Sequence, residues 1–227
     1  MGLLLNIDTA VEKATISIAK DGIILQEAVN NDQKEHGTFL QPAIQLIAKN
    51  AGICLQELDA VAVIAGPGSY TGLRVAMATA KGLCYALDKP LIAIGTLDLM
   101  AYQAIKQFAE GEANTPFLYC PMIDARRMEV FTAVYDKFFA PVLQPCAIII
   151  EENSFANQLL KNKVCFFGNG SPKWQKIVVH ENALFFEPKN NALYMSELSH
   201  GKYLNNEFAD MAYAEPMYLK EFYNNPT

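Results

Sequence analysis

The chain has 227 residues, 52% apolar and 19% charged, which suits one large domain or two packed lobes and excludes extensive disorder. Eighteen basic against twenty-four acidic residues give a net charge of −6, a poor balance for a stand-alone nucleic-acid binder, because phosphate contacts need clustered Lys and Arg. No apolar run approaches the roughly 20 residues that span a bilayer. The start, MGLLLNIDTA, lacks a basic segment and is interrupted by Asp8, so it reads as a strand and not a leader.

Leu3–Asp8 is a short apolar strand, and Ala14–Lys20 alternates as a half-buried strand does. Asp21-Gly22 is a hairpin turn, and Ile23–Val29 returns. A helix follows over Thr38–Ala51, with Leu40, Ala43, Ile44 and Ile47 on its apolar face and Gly52 as its stop; Pro42 puts its regular part near Gln41. Ala60–Ala65 is a buried strand, and the loop GPGSYTG leads into a helix over Thr71–Leu87, closed by Asp88-Lys89-Pro90. Leu91–Gly95 is a strand and Leu97–Phe108 a helix. Glu110–Pro116 is polar and turn-rich, a boundary or crossover. Strands then fall at Phe117–Ile123, Met128–Tyr135 and within Val142–Ile150, a helix at Ser154–Leu160 and a strand at Val164–Phe167. A Gly-Asn-Gly loop, a short helix near Lys173–Val178, a strand at Leu184–Phe186 and a helix at Ala192–Asn205 complete the chain.

The order βββαβαβα therefore occurs twice. Ile7-Asp8-Thr9-Ala10 is echoed by Ile123-Asp124-Ala125-Arg126, and Gly66-Pro67-Gly68-Ser69 by Gly168-Asn169-Gly170-Ser171, each at the matching place. A duplicated unit of this kind is an α/β, ribonuclease-H-like, actin-like (ASKHA) architecture. The expected lobes are residues 1–110 and 111–227, the second with smaller helices and a C-terminal tail that packs back on the first. Fold alone does not assign nucleotide chemistry.

The glycine loop is not a Walker A loop, since G-x-x-x-x-G-K-[ST] is absent. Its glycines can present amides to an anion at a helix N-terminus, or simply permit a tight turn. An anion or nucleotide site, vestigial or working, would draw on Asp8, Thr9, Gly66, Gly68, Ser69, Arg74, Asp124, Gly168 and Gly170, with the two aspartates placing a metal or water. Arg126 and Arg127, the only adjacent arginines, either pair with local acids or bind an anionic partner. On the second helix Gly72, Ala76, Ala80 and Cys84 form one small stripe, and Ala78, Gly82 and Ala86 a second. Two small faces suggest packing on two sides, one of them against another chain, with Leu73, Met77 and Leu83 supplying contact area. A bulky residue at Ala76 or Ala80 is then expected to disrupt association and leave the monomer folded. His36, His180 and His200 show no metal-ligand spacing, and G-x-S-x-G does not occur. The five cysteines (Cys54, Cys84, Cys120, Cys146, Cys165) contain no C-x-x-C pair and read as free thiols in a reducing cytoplasm.

LLLNIDTA, His36 before the first helix, AGPGSYTGLRVAMATAKGL, MIDARRMEVF, FGNGS and AEPMYLK together resemble the bacterial TsaB (YeaZ) family, in the family's order and over nearly the whole chain. The resemblance implies a cytoplasmic, non-catalytic subunit in the synthesis of threonylcarbamoyladenosine, the modified base beside the anticodon in tRNAs reading codons that begin with A. It implies pairing with a larger catalytic paralogue of the TsaD type, a TsaE-like ATPase as third member, tRNA met only within the complex, and a homodimer when alone. ATP and metal are expected on the partners and no cofactor on this chain. The catalytic relatives carry His-x-x-x-His; here His36 is followed four residues later by Leu40, which implies no metal-dependent transferase site. The implied interface uses His36, Leu40 and Ile44 of the first helix and Gly72, Leu73, Ala76, Met77, Ala80, Leu83 and Cys84 of the second. Ala10 stands where many relatives have Ser, which weakens the alternative of a nucleotide-binding or ATP-hydrolysing enzyme. So does the first loop, Thr9–Lys13, with one hydroxyl, no glycine and Glu12.

Overall fold

The computed structural model describes residues 1–32, 36–108, 117–189 and 192–220; for His36 it describes the backbone alone. The Glu110–Pro116 boundary lies outside them. The elements run β1 (Leu3–Asp8), β2 (Ala14–Lys20), β3 (Ile23–Asn30), α1 (His36–Ala51), β4 (Ala60–Gly66), α2 (Tyr70–Leu87), β5 (Leu91–Gly95) and α3 (Thr96–Phe108). They continue β6 (Phe117–Asp124), β7 (Glu129–Asp136), β8 (Pro141–Ile149), α4 (Ala156–Leu159), β9 (Lys163–Phe167), α5 (Ser171–Gln175), β10 (Ala183–Phe185) and α6 (Ala192–Leu204). The βββαβαβα order thus occurs twice. A short 3-10 turn at Leu55–Glu57 had no signal in the sequence.

Two five-stranded sheets form, ordered β3-β2-β1-β4-β5 and β10-β9-β6-β7-β8. Read from the other edge, the second repeats the first. In each, the hairpin strands are antiparallel and the fourth and fifth strands run parallel to the first. This is the duplicated ribonuclease-H-like, actin-like arrangement. β4 is buried at every position, as a central parallel strand covered on both faces must be.

The compact units are not the two halves of the sequence. One comprises residues 1–99 and 191–217, the other 100–190 and 218–227. The last helix of the second repeat thereby belongs with the first sheet, and most of α3 belongs with the second, where one cut near residue 110 would separate them.

In the first unit, one sheet face (Leu5, Ile7, Ile16, Ile18, Val61, Val63) packs under α1 (Leu40, Ala43, Ile44, Ile47) and α2 (Ala76, Met77, Ala80, Cys84). α1 begins six residues before Pro42, whose ring faces solvent, and is not broken by it. α6 packs on β1, β2 and β3 through a buried polar cluster. The Asn6 side-chain amide donates to Ser17 Oγ and Ser196 Oγ, both at 3.3 Å, and Ser199 Oγ donates to Asn6 Oδ1 at 2.6 Å. Residues 209–217 then run over the same unit. The Ala209 amide donates to the Leu91 carbonyl at 2.8 Å, Lys81 Nζ to the Ala214 carbonyl at 3.0 Å and the Met217 amide to the Ala65 carbonyl at 2.7 Å. In the second unit, Trp174, Phe155 and Phe166 stack edge to face in one core, and Ala104 joins Tyr119, Cys165 and Phe167 in another.

Ala76 and Ala80 lie wholly inside the first unit. A bulky residue there meets the chain's own core, contrary to the sequence expectation, because overpacking a filled site strains it. Ala80→Leu is expected to lower the stability of the monomer by about 1–3 kcal/mol. Gly82→Ala, whose new methyl meets open space, is expected to raise it by about 0.5–1 kcal/mol. Urea titration of the two variants checks both signs.

Candidate functional site

In the first unit, Asp8, Thr9, Gly66, Gly68 and Ser69 gather where β1 and β4 end and α2 begins. The Ser69 amide donates to the Ala10 carbonyl at 2.7 Å, and the Thr9 hydroxyl to the Gly72 carbonyl at 2.7 Å. A Cβ at Gly68 would collide with the Ala10 carbonyl oxygen, and one at Gly72 with that of Thr9. Gly66, at φ +119°, lies under the Met217 backbone. The glycines therefore admit the chain's own backbone. The Ser69 amide at the entry of α2 is bonded to the Ala10 carbonyl. Ser69 also caps α2, its hydroxyl accepting from the Gly72 amide at 3.4 Å. Arg74 stands apart and exposed. Its Nη1 donates to Tyr70 Oη at 2.5 Å, and its guanidinium lies 4.7 Å from the centre of that ring.

Asp8 accepts a hydrogen bond from the Ala10 amide at 3.0 Å. Burial removes the water that would stabilise its charge and pushes its pKa from 3.8 up to about 6; the amide only partly offsets this.

In the second unit, Gly168, Gly170 and Asp124 come together at the matching place. The Gly170 amide donates to the Met122 carbonyl at 3.0 Å, and the Asp124 amide to Asn169 Oδ1 at 2.9 Å. Gly168, at φ +90°, and Gly170 again allow close backbone approach, here to Met122 and Ile123. Lys173 Nζ reaches Asp124 Oδ1 at 2.7 Å and the Glu129 carbonyl at 3.0 Å. Partial burial acts to raise the Asp124 pKa, but the Lys173 hydrogen bond, the Arg126 amide at 2.6 Å and the Lys173 charge together hold it below the usual carboxylate value. The sequence offered no local sign of Lys173 as its partner, because the contact spans 49 residues.

The residues singled out for an interface divide by face. Leu40, Ile44, Gly72, Leu73, Ala76, Met77, Ala80 and Cys84 are buried within the first unit and cannot meet another chain while it is folded; Leu83 is half-buried. The side chain of His36 lies outside the described part of the structure. Solvent instead meets the second small stripe, Ala78, Gly82 and Ala86, beside Tyr85, which is 82% exposed. The distinguishing signal was the pairing of the first stripe with Leu73 and Met77, which makes one continuous apolar face.

His180 is exposed, its Nδ1 accepting from the Asn182 amide at 3.1 Å, whereas His200 has its Nδ1 buried with no partner and packs by the Gly22 turn. All five cysteines are free. Burial pushes Cys84 up to about 11, Cys165 up to about 12 and Cys120 further, so none of these three is a thiolate at neutral pH. Among the described residues there is no group of three or more His, Cys, Asp or Glu arranged to hold a metal ion. No described helix is long and apolar enough to cross a membrane.

Residues 23–214 match the family model described as TsaD, tRNA N6-adenosine threonylcarbamoyltransferase. The chain is 31% identical, over 96% of its length and 93% of the relative's, to the tRNA threonylcarbamoyladenosine biosynthesis protein TsaB of Haemophilus influenzae. It is 28% identical to the protein of the same name from Buchnera aphidicola, over 82% of this chain and 86% of that one. A crystal structure from Pseudomonas aeruginosa, described as an uncharacterized protein with similarity to peptidase YEAZ, superposes with a TM-score of 0.78 at 23% identity, covering 97% of this chain and all of the other. That superposition bears on the fold alone.

The Asp8 environment sets a pH dependence. A folded pKa raised from 3.8 to about 6 favours folding fully below pH ~4, and that contribution is lost as pH rises through 6. Asp8→Asn, which keeps an acceptor for the Ala10 amide, is expected to be about 1–2 kcal/mol more stable than the parent at pH 7.5 and equal to it at pH 4. Thermal melts at the two pH values check this.

Proposed function

Because the chain belongs to the TsaB/YeaZ family, we propose that it is the non-catalytic subunit of an assembly that places threonylcarbamoyl on the adenosine beside the anticodon of tRNAs reading A-starting codons. It pairs with a TsaD-type paralogue that carries the metal and the active site, and a TsaE-like ATPase joins them. Alone it self-associates as a homodimer. It needs no cofactor of its own.

The observation that carries the reading is the division of α2. Its apolar stripe is spent on the first unit, yet its outer stripe is also small, with Ala78, Gly82 and Ala86 beside the exposed Tyr85. A helix that faces only water has no need of a flat side; one that meets another helix closely does. α1 packs against α2 and adds Leu46, 55% exposed. Aromatic residues such as Tyr85 are favoured anchors in interfaces.

Three features support the absence of catalysis by this chain. Leu40, four residues after His36, is wholly buried and offers no ligand atom. In the glycine loop of the first unit the Ser69 amide is bonded to the Ala10 carbonyl, and the Thr9 and Ala10 carbonyls lie against Gly72 and Gly68. Asp124, the second candidate acid, is already paired with Lys173.

Light scattering with size-exclusion chromatography, on the chain alone and mixed with its TsaD-type partner, tests the pairing. Nucleoside mass spectrometry of the tRNA, with and without the chain, tests the role. Tyr85→Arg is expected to weaken association at least tenfold with an unchanged melting temperature. ATP hydrolysis by the chain alone, or modification at full rate without it, would replace the scaffold reading with the enzyme reading.

A further inference from the structure

The β6–β7 turn presents two arginines with no hydrogen-bond or ion-pair partner among the described residues. Arg126 and Arg127 are both exposed, and both adopt left-handed backbone, at φ +69° and +48°. Non-glycine residues enter that region only at an energetic cost. The turn is fastened at its base. The Ala125 amide donates to the Glu129 carbonyl and the Glu129 amide to the Arg126 carbonyl, both at 3.1 Å, and the Arg126 amide donates to Asp124 Oδ1.

The nearest acids are the obvious internal partners, and each is otherwise engaged. Asp124 is paired with Lys173, and Glu129 with Lys220. Glu151 and Glu152, which follow β8 past its bond to Met128, are exposed and form no ion pair with either arginine. Among the described residues neither guanidinium has a hydrogen-bond or ion-pair partner. Lys173 and Lys220 take up the two carboxylates at the base of the turn, so neither carboxylate is left to pair with the arginines.

We propose that Arg126 and Arg127 form a docking point for the phosphodiester backbone of RNA. The guanidinium fork matches phosphate geometry, and two adjacent forks suit two phosphates of one strand. The surrounding surface favours a polyanion over a protein partner: among the described residues, Met128, 44% exposed, and Ile149, 65% exposed and paired across from Glu129, are the large apolar side chains beside the arginines, and Glu151 and Glu152 follow them, which is little for an interface core. That the polyanion is RNA rests on the tRNA-modification reading. A single small anchor of this kind supplies orientation more than affinity, so it acts within the assembly.

The test uses a fluorescein-labelled tRNA transcript and the full-length chain, alone and together with its TsaD-type partner, in a salt series read by anisotropy. Each arginine that neutralises a phosphate contributes about 0.7–0.9 to the slope of log affinity against log salt. The double variant Arg126→Gln/Arg127→Gln is expected to lower that slope by about 1.5 and to weaken binding roughly tenfold at low salt, with Arg→Lys at both positions keeping the slope. Its melting temperature and its co-elution with the partner are expected to match the parent. An unchanged slope, or no tRNA binding by the parent in either arrangement, overturns the proposal. So does loss of partner co-elution in the double variant, which assigns the tip to protein contact, or displacement of tRNA by micromolar ATP, which assigns it to a free nucleotide. Co-elution of the parent with its partner reads the scaffold proposal separately, so the two can fail independently.

Discussion

Two carbonyl oxygens, those of Thr9 and Ala10, determine what the first glycine loop can be. They lie where side chains at positions 72 and 68 would begin, so only glycine lets β1 end against the start of α2. That contact sets the entry of α2 over the sheet, and with it which stripe of the helix turns inward. The second unit repeats the device with Gly168 and Gly170 against Met122 and Ile123. A glycine loop in a nucleotide-binding architecture need not cradle a phosphate. Here the same economy of space brings backbone to backbone, and the amide of Ser69 is spent on a neighbouring peptide.

Much of the architecture was legible in the sequence because its signals are local. Asp21-Gly22 takes positive φ at both residues, as its turn demands, and Asp88 in left-handed backbone ends α2 as Asp88-Lys89-Pro90 suggested. The unbroken apolar run of β4 reads directly as a central strand. β8 was harder to place, since it lies at a sheet edge and is half-exposed along most of its length. α6 hides its role differently: its buried face includes Ser196 and Ser199, which a hydrophobic pattern does not register. Their partner is Asn6, at the other end of the chain.

The candidate site was legible in outline only. Gly68, Ser69, Gly168 and Asp124 could be named from their places in the repeat, but not what touches them. Lys173 on Asp124, Lys220 on Glu129 and Met217 over Gly66 are long-range contacts with no local signature. The two stripes of α2 are both small, so composition alone could not say which is core. The decision came from neighbours, since Leu73 and Met77 flank the buried stripe and Tyr85 the open one. Net charge was equally blunt. An excess of acids over bases does not prevent two arginines from standing without an ion-pair partner among the described residues, with Asp124 and Glu129 held by lysines.

The Asn6 cluster has a consequence for the order in which the protein can be completed. Asn6 and Ser196 are 190 residues apart, and synthesis at about 5–20 residues per second separates their emergence from the ribosome by roughly 10–40 s. Through that interval the first sheet has its α1 and α2 face covered but lacks α6, leaving a polar amide at the centre of an unfinished surface. Residues 100–190, by contrast, have nearly all their own packing partners once they are made. The unit encoded first therefore waits for α6, made after most of the second unit, before its buried amide is satisfied.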